Sequence, residues 1–364
     1  MEGDLSALLK AYGLDPGDVQ LSPMGSGHIH DTYRVDRTGP TLVLQRMNNH
    51  VFRDIPLLMR NLEIISSHIA DKNRRAGRSP AEHGILLIEA EGGRSWIGDD
   101  ETGFWRMFWY IEDQASFEIA EDRTLAYEGG RGIAHFQGML EDLDPWRIGE
   151  SIPGFHDFGI RLEKFEQAVK KASSVRRDEA TDEIRYTWDH VAHVEALYKT
   201  SAMENIPLRL THNDTKFNNM LFGPSGQVTC LIDLDTVMPG YCWYDFGDAL
   251  RTSASMVPEE ERDLSGVGFR TDIFESFSKG YLEEAGFLTD DEISVLHRAP
   301  HAFAFMQGMR FLTDYLEGDV YYKTDRSGHN LDRTRNQYAL ASEMLSLEEK
   351  LGQIIAALSE KSQP

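Results

Sequence analysis

Thr211-His212-Asn213-Asp214-Thr215-Lys216-Phe217-Asn218-Asn219, followed by Leu231-Ile232-Asp233-Leu234-Asp235, is the stretch on which the reading of this chain turns. The first run follows a strand-like Leu208–Thr211 and sets a carboxylate five residues before an amide. The second ends a strand-like Val228–Ile232 on a carboxylate fourteen residues further on. Asn and Asp favour turns because their side chains bond the nearby backbone, so either run alone reads as a turn. Occurring together and in this order, they read as chemistry.

Phosphoryl transfer from a nucleotide needs a carboxylate to orient and deprotonate the attacking hydroxyl, and oxygen ligands to hold Mg²⁺ against the phosphates. Asp214 fits the first role, and Asn219 with Asp233 the second, in the required order and spacing. Carboxylates about 6 Å apart repel by roughly 3 kcal/mol at an effective dielectric of about 20. If Asp214, Asp233 and Asp235 converge, they must therefore converge on a cation.

Outward from these runs, 364 residues with 41% hydrophobic and 10% aromatic content suffice for two lobes around a substantial core. A net charge of −23 argues against nucleic acid or an anionic membrane as partner. It also means that a site for ATP must reverse the field locally with bound cations and basic residues. The N-terminal Met1-Glu2-Gly3-Asp4 has no signal-peptide character, and no apolar run is long enough to span a bilayer. Cys230 and Cys242 form no metal or disulfide pattern, so a reducing cytoplasmic setting is expected.

Residues 1–112 read as a small antiparallel sheet carrying one helix, and 113–364 as a larger, mainly helical lobe. Strands are expected at Val19–Met24, His28–Val35, Thr41–Arg46, Gly84–Ala90 and Trp105–Ile111. Leu58, Leu62, Ile65 and Ile69 mark one apolar face of a helix that Pro56 introduces. Later helices are marked by Ile133–Leu143, Ile184–Leu197 and Phe305–Leu316. A closing helix runs along Met344, Leu347, Leu351, Ile354 and Leu358. The hinge between the lobes is expected near Tyr110–Gln114.

With these segments in view, the chain resembles the aminoglycoside phosphotransferase and choline kinase superfamily, of protein-kinase-like α+β fold. It is most similar to the N-acetylhexosamine 1-kinases. The similarity runs through Gly25-Ser26-Gly27-His28-Ile29, Leu44–Asn48, the two runs above, Asp245-Phe246-Gly247-Asp248, Gly308–Leu312, Asp314–Tyr321 and His329-Asn330-Leu331. The resemblance implies Asp214 as catalytic base, Asn219 and Asp233 as Mg²⁺ ligands, and Gly25, Ser26 and Gly27 as a phosphate-covering turn. It implies His28, Asp214, Arg310, Asp314 and Tyr321 as acceptor contacts, with His329 and Asn330 beside them. The expected reaction is transfer from ATP to the anomeric hydroxyl of an N-acetylhexosamine.

One departure stands out. Where many such enzymes carry a phosphate-binding lysine on the strand after the glycine turn, this chain has Gln45, with Arg46 beside it. On an alternating strand the two point to opposite faces. Arg46 and Lys216 are the candidate replacement cations, and Glu63 on the following helix is the ordinary partner of the absent lysine. Arg310 and Asp314 stand four apart on a helix, where a plain ion pair is the simpler reading. Trp243 and Tyr244 read equally as an aromatic platform or as core. Rival functions are the same chemistry on choline, ethanolamine, homoserine, an aminoglycoside or another sugar; a nucleotide-binding module without turnover; or a metallohydrolase built on His212.

Overall fold

The structure, a computed structural model, describes residues 2–24, 29–80 and 82–362. Five strands form an antiparallel sheet: β1 (Val19–Pro23), β2 (Asp31–Arg37), β3 (Leu42–Met47), β4 (Trp96–Asp99) and β5 (Gly103–Trp109), in the spatial order β1-β2-β3-β5-β4. Strand alternation assigns each face its job. Val35, Leu42, Leu44 and Met107 pack under helix α1 (Glu2–Ala11), against Leu8, Leu9 and Tyr12. The other face turns Val43, Gln45, Arg106 and Phe108 toward a cleft. Helix α2 (Ile55–Arg75) covers the end of that face with Leu58, Leu62 and Ile65, and joins the main core. Asp54 caps it by accepting from the Leu57 N–H at 2.9 Å, and Pro56 occupies its first turn.

Two expectations are corrected in this region. The N-terminal helix α1 was not expected. Residues 84–90 do not form a full strand; they make isolated bridges, Leu87 to Phe108 and Ala90 to Arg94. The reason is that one edge of β5 is shared. Residues 103–106 pair with β4, so only the end of β5 is left for the 86–88 segment, and Gly92 and Gly93, both at positive φ, turn the chain between them.

The larger, helical part follows. It comprises α3 (Arg123–Leu140), α4 (Phe158–Lys171), α5 (Ser174–Glu179), α6 (Thr181–Tyr198), α7 (Cys242–Ser253), α8 (Thr271–Glu284), α9 (Asp290–Val295) and α10 (Ala299–Glu317). The expected closing helix is two, α11 (His329–Ser346) and α12 (Glu348–Ser362). The apolar stripe continues across the break at Leu347, where Glu348 and Glu349 open a new helix N-terminus that favours negative charge. Helices α3 and α8 touch backbone to backbone, since a Cβ on Gly130 would lie 2.1 Å from the Phe277 carbonyl. Two short ribbons, β6 (Arg209–Thr211) with β9 (Met238–Gly240) and β7 (Met220–Phe222) with β8 (Val228–Leu231), lie between α6 and α7 in sequence. The connector from the sheet joins the second ribbon through paired hydrogen bonds of Ala115 with Phe222, at 2.9 and 2.8 Å. Among the described residues no helix is long and apolar enough to cross a membrane, and both cysteines are buried free thiols.

Candidate active site

The run 211–219 leaves β6 and is fixed by one buried carboxylate. Asp245, in the first turn of α7, accepts the His212 N–H at 2.9 Å, the Asn213 N–H at 2.7 Å and the Gln137 amide at 2.8 Å. Burial pushes the Asp245 carboxyl up, while His212 and these donors oppose the shift. Asn213 adopts a left-handed backbone, φ 64°, which Asn tolerates better than most residues. Its amide donates to the carbonyls of Thr211 and Thr236 at 3.0 and 2.9 Å. His212 Nε2 donates to the Ile232 carbonyl at 2.9 Å, and Nδ1 lies 3.3 Å from the Asp214 N–H. With both ring nitrogens committed to backbone, His212 is a brace and not a metal ligand, which removes the basis of the hydrolase reading.

Asp214 is thereby presented half-buried, and its carboxylate keeps few partners. Oδ2 accepts from Asn219 Nδ2 at 3.1 Å, and Oδ1 lies 3.5 Å from Lys216 Nζ. The same Asn219 amide donates to the Asp214 carbonyl at 2.8 Å, so its Oδ1 is left for another ligand. Asp214 keeps Lys216 protonated against the effect of burial. Asp233, two residues beyond β8, adopts a left-handed conformation, φ 64°. Its side chain is exposed to the cleft, and the like charges of Asp235 and Asp214 push its carboxyl up. Hard oxygen donors crowded by like charge suit Mg²⁺, and Asn219 Oδ1 with the Asp233 carboxylate is the pair that fits it. Asp235 is different. Both its oxygens bond Arg106, and Oδ2 also accepts from His30 at 2.6 Å. Burial alone would raise its carboxyl, but Arg106 and His30 outweigh this and hold it well below the carboxylate range.

A basic group does face the cleft, from the neighbouring strand β5. Gln45 faces the cleft directly opposite Arg106 of β5, and its Oε1 accepts from the guanidinium at 2.9 and 2.6 Å. Arg46 points the other way: it is exposed, over the Trp105 ring, and contributes nothing to the cleft. Glu63 is exposed too and bonds Ser95 instead of a basic residue. Arg106 could have been noticed in the sequence as the single charge in an otherwise apolar strand, Phe104–Tyr110. Its alignment with Gln45 needed the register.

Two cavities meet at Asp214, Lys216 and Asp233. The larger, of about 550 Å³, lies between the sheet face and the catalytic loop, lined by Val43, Phe108 and the connector 109–111. That is within the roughly 300–1,000 Å³ of small-molecule sites. The smaller, about 100 Å³, is walled by Ile29, Val51, Phe155, Arg310, Tyr321 and Tyr322. Arg310 lies over the Phe155 ring at 4.8 Å and donates to Gln307 at 3.1 Å; among the described residues no carboxylate pairs with it. Arg161 sits behind it, its guanidinium pushed down to about 10 by burial and by Arg310.

Asp314 does not join this wall, and the expected pairing with Arg310 is absent. It is 3% exposed, and its oxygens accept the N–H groups of Val320, Tyr321 and Tyr322 at 2.8, 2.7 and 3.0 Å. Asn330 donates to the same carboxylate at 2.8 Å, and His329 bonds Glu260, so both serve the framework. Trp243 and Tyr244 are buried core residues and form no platform. His156, unremarked in the sequence, donates to the Asn213 carbonyl at 2.8 Å from among aromatic rings. Gly25, Ser26, Gly27 and His28 lie outside the described residues.

A family profile described as the phosphotransferase enzyme family matches residues 20–285 of the chain. The chain belongs to that family. The fold agrees. A choline kinase from Cryptosporidium parvum Iowa II is similar over 100% of this chain and 99% of its own, at 14% identity and a TM-score of 0.61. A microcompartment-associated aminopropanol kinase is similar over 97% and 99%, at 14% identity and TM-score 0.60. An aminoglycoside phosphotransferase from Alicyclobacillus acidocaldarius covers 96% and 93%, at 15% identity and TM-score 0.57. At such identities the likeness carries the fold: a small antiparallel sheet beside a larger helical part. As a member of the phosphotransferase enzyme family, the chain is a phosphotransferase; its acceptor has to be read from its own residues.

Proposed function

We propose that this phosphotransferase uses ATP and Mg²⁺ to phosphorylate the anomeric hydroxyl of an N-acetylhexosamine, giving a sugar 1-phosphate. One observation carries the choice of acceptor: Arg310 in the smaller cavity, which among the described residues has Gln307 but no carboxylate as partner, with Arg161 nearby. A cationic acceptor such as choline or ethanolamine would meet like charge there. Of the acids lining the cavity, Asp235 is answered by Arg106, and Asp248 and Glu259 by Arg251; Asp214 and Asp233 remain, and in this reading they serve the transferred hydroxyl and the metal. A neutral, oxygen-rich acceptor can use Arg310 as a donor to a hydroxyl or acyl oxygen, and the apolar Ile29–Val51 wall suits an acyl methyl.

In this reading the nucleotide occupies the larger cavity, and the acceptor hydroxyl lies against Asp214. Asp214 takes the hydroxyl proton as the new O–Pγ bond forms and the bond from Pγ to the β,γ-bridging oxygen breaks, releasing ADP. Lys216 stays charged beside Asp214 and faces the phosphates. Asn219 and Asp233 would hold the metal, which supplies charge neutralisation on the phosphates. An anomeric hydroxyl is more acidic than an ordinary alcohol, so a carboxylate is an adequate base.

The test is phosphoryl transfer from ATP and Mg²⁺ to N-acetylglucosamine, N-acetylgalactosamine, galactose, choline, homoserine and kanamycin, with the product read by phosphorus NMR. An anomeric phosphate on the acetylated sugars alone is the expected result. Turnover of choline or kanamycin in preference would overturn the role given to Arg310.

A further inference from the structure

The cleft face of the sheet carries an unbroken polar row that ends on the catalytic lobe. Gln45 Nε2 donates to Thr32 Oγ1 at 3.0 Å, Gln45 Oε1 accepts from Arg106, and Arg106 grips Asp235 with both terminal nitrogens. Thr32, Gln45 and Arg106 are successive cross-strand partners on β2, β3 and β5. His30 adds a second hold. The Asn48 N–H can only donate, at 3.0 Å, to His30 Nδ1, so Nε2 carries the proton offered to Asp235.

Counting donors decides what Arg106 can do. Its Nε–H and one Nη2–H go to Gln45, the other Nη2–H and one Nη1–H to Asp235, and Nη1 also lies 3.9 Å from the Met59 sulfur. No well-placed donor is left for a phosphate. Both Asp235 carboxylate oxygens are likewise engaged, and its backbone carbonyl is held by Ser151 at 2.6 Å. His30, Asp233 and Asp235 bring ligand atoms within 4.8 Å of one another, the geometry of a three-ligand metal site. Two of the three have already spent those atoms on each other. Only the Asp233 carboxylate, two residues from Asp235 across the left-handed turn, remains to bind anything.

We propose that Arg106, Asp235 and His30 form a latch from the sheet to the catalytic lobe, whose work is to position the metal carboxylate Asp233. It takes over the tethering that a strand lysine and helix glutamate would perform, without a direct phosphate contact. It also accounts for Gln45, since a lysine at that position would set a second cation against Arg106. Arg106 and Asp235 are positioning residues in this account. The proposal rests on the kinase reading only in taking Asp233 as a metal ligand.

The test measures metal binding without turnover. Mn²⁺ is titrated into the full chain with saturating ADP and followed by the EPR signal of the free ion. Groups that orient metal ligands typically change metal affinity about 10–100-fold when removed. R106M and D235N are therefore expected to weaken Mn²⁺ binding by about 10–100-fold, with metal-free ADP affinity within about twofold of wild type. If R106M does not fold, R106K and H30A replace it, each removing part of the latch, with smaller shifts expected in the same direction. A residue that was merely structural would lower the melting temperature and leave Mn²⁺ affinity where it was; that outcome overturns the latch. Loss of metal-free ADP affinity with Mn²⁺ affinity preserved overturns it in favour of a direct phosphate contact. Wild-type chain that binds no Mn²⁺ with ADP overturns the latch and the kinase reading together.

Discussion

The proposed catalytic loop and the proposed acceptor wall are hung in the same way but secured to different depths. In each, a buried helix carboxylate gathers successive backbone N–H groups: Asp245 those of residues 212 and 213, Asp314 those of residues 320–322. Around Asp214 the hold is redundant, with His212, Asn213 and His156 each adding a bond to fixed backbone. The 320–322 turn takes its backbone bonds from Asp314 and a side-chain bond from Gln307 to the Tyr322 hydroxyl, and it reaches solvent at Val320, 74% exposed, and Tyr321, 37%. The groups offered to ligands are those that the framework leaves under-bonded: Asp214 and Asp233 on one side, Arg310 on the other. Chemistry is rigidly presented here, and recognition is presented on a lighter mounting.

This contrast can be broken at four places. D214N leaves the loop's anchors in place, so kcat should fall by about 10² to 10⁴ with little change in melting temperature; a rate within about twofold of wild type would remove Asp214 from the chemistry. D245A strips a charged acceptor from two buried N–H groups and should destabilise the fold by about 3 kcal/mol, read by denaturant melts. A loss below about 0.5 kcal/mol would mean the loop holds itself. R310Q should raise acceptor KM about 10–100-fold, the value of a hydrogen bond to a charged group, and leave ATP KM unchanged. D314N keeps one oxygen for Val320 and Tyr321 but turns an amide toward Tyr322, so acceptor KM should rise only about three- to tenfold. Equal effects of D314N on acceptor and nucleotide would erase the distinction between the two mountings.

Much of this was legible in the sequence because its causes are local. The period-two strands around Val43 and Met107, the α2 stripe behind Pro56, and the order Asp214, Asn219, Asp233 all depend on near neighbours. What was not legible depends on register and long-range pairing. Gln45 meets Arg106 across 61 residues, and His30 meets Asp235 across 205. Spacing alone made Asp314 look like the partner of Arg310. The chain beyond the helix C-terminus turns back at Gly318, in the left-handed region at φ 109°, and delivers three N–H groups to that carboxylate instead. Arg46 was misplaced for a simpler reason: strand parity excludes it from the cleft, where the cation on the sheet is Arg106 of another strand, spent on Gln45 and Asp235.

The way Asp314 holds residues 320–322 has an evolutionary consequence. A recognition segment whose turn is gathered by one carboxylate, and whose flanks are tied by Arg176 to Asp319 and by Arg333 to the Lys323 carbonyl, is held at a few separate points and behaves as a cassette. It can be lengthened, shortened or recoded between Gly318 and Gly328 while Asp245 goes on holding the reacting carboxylate in place, so selection can change the acceptor without rebuilding the catalyst.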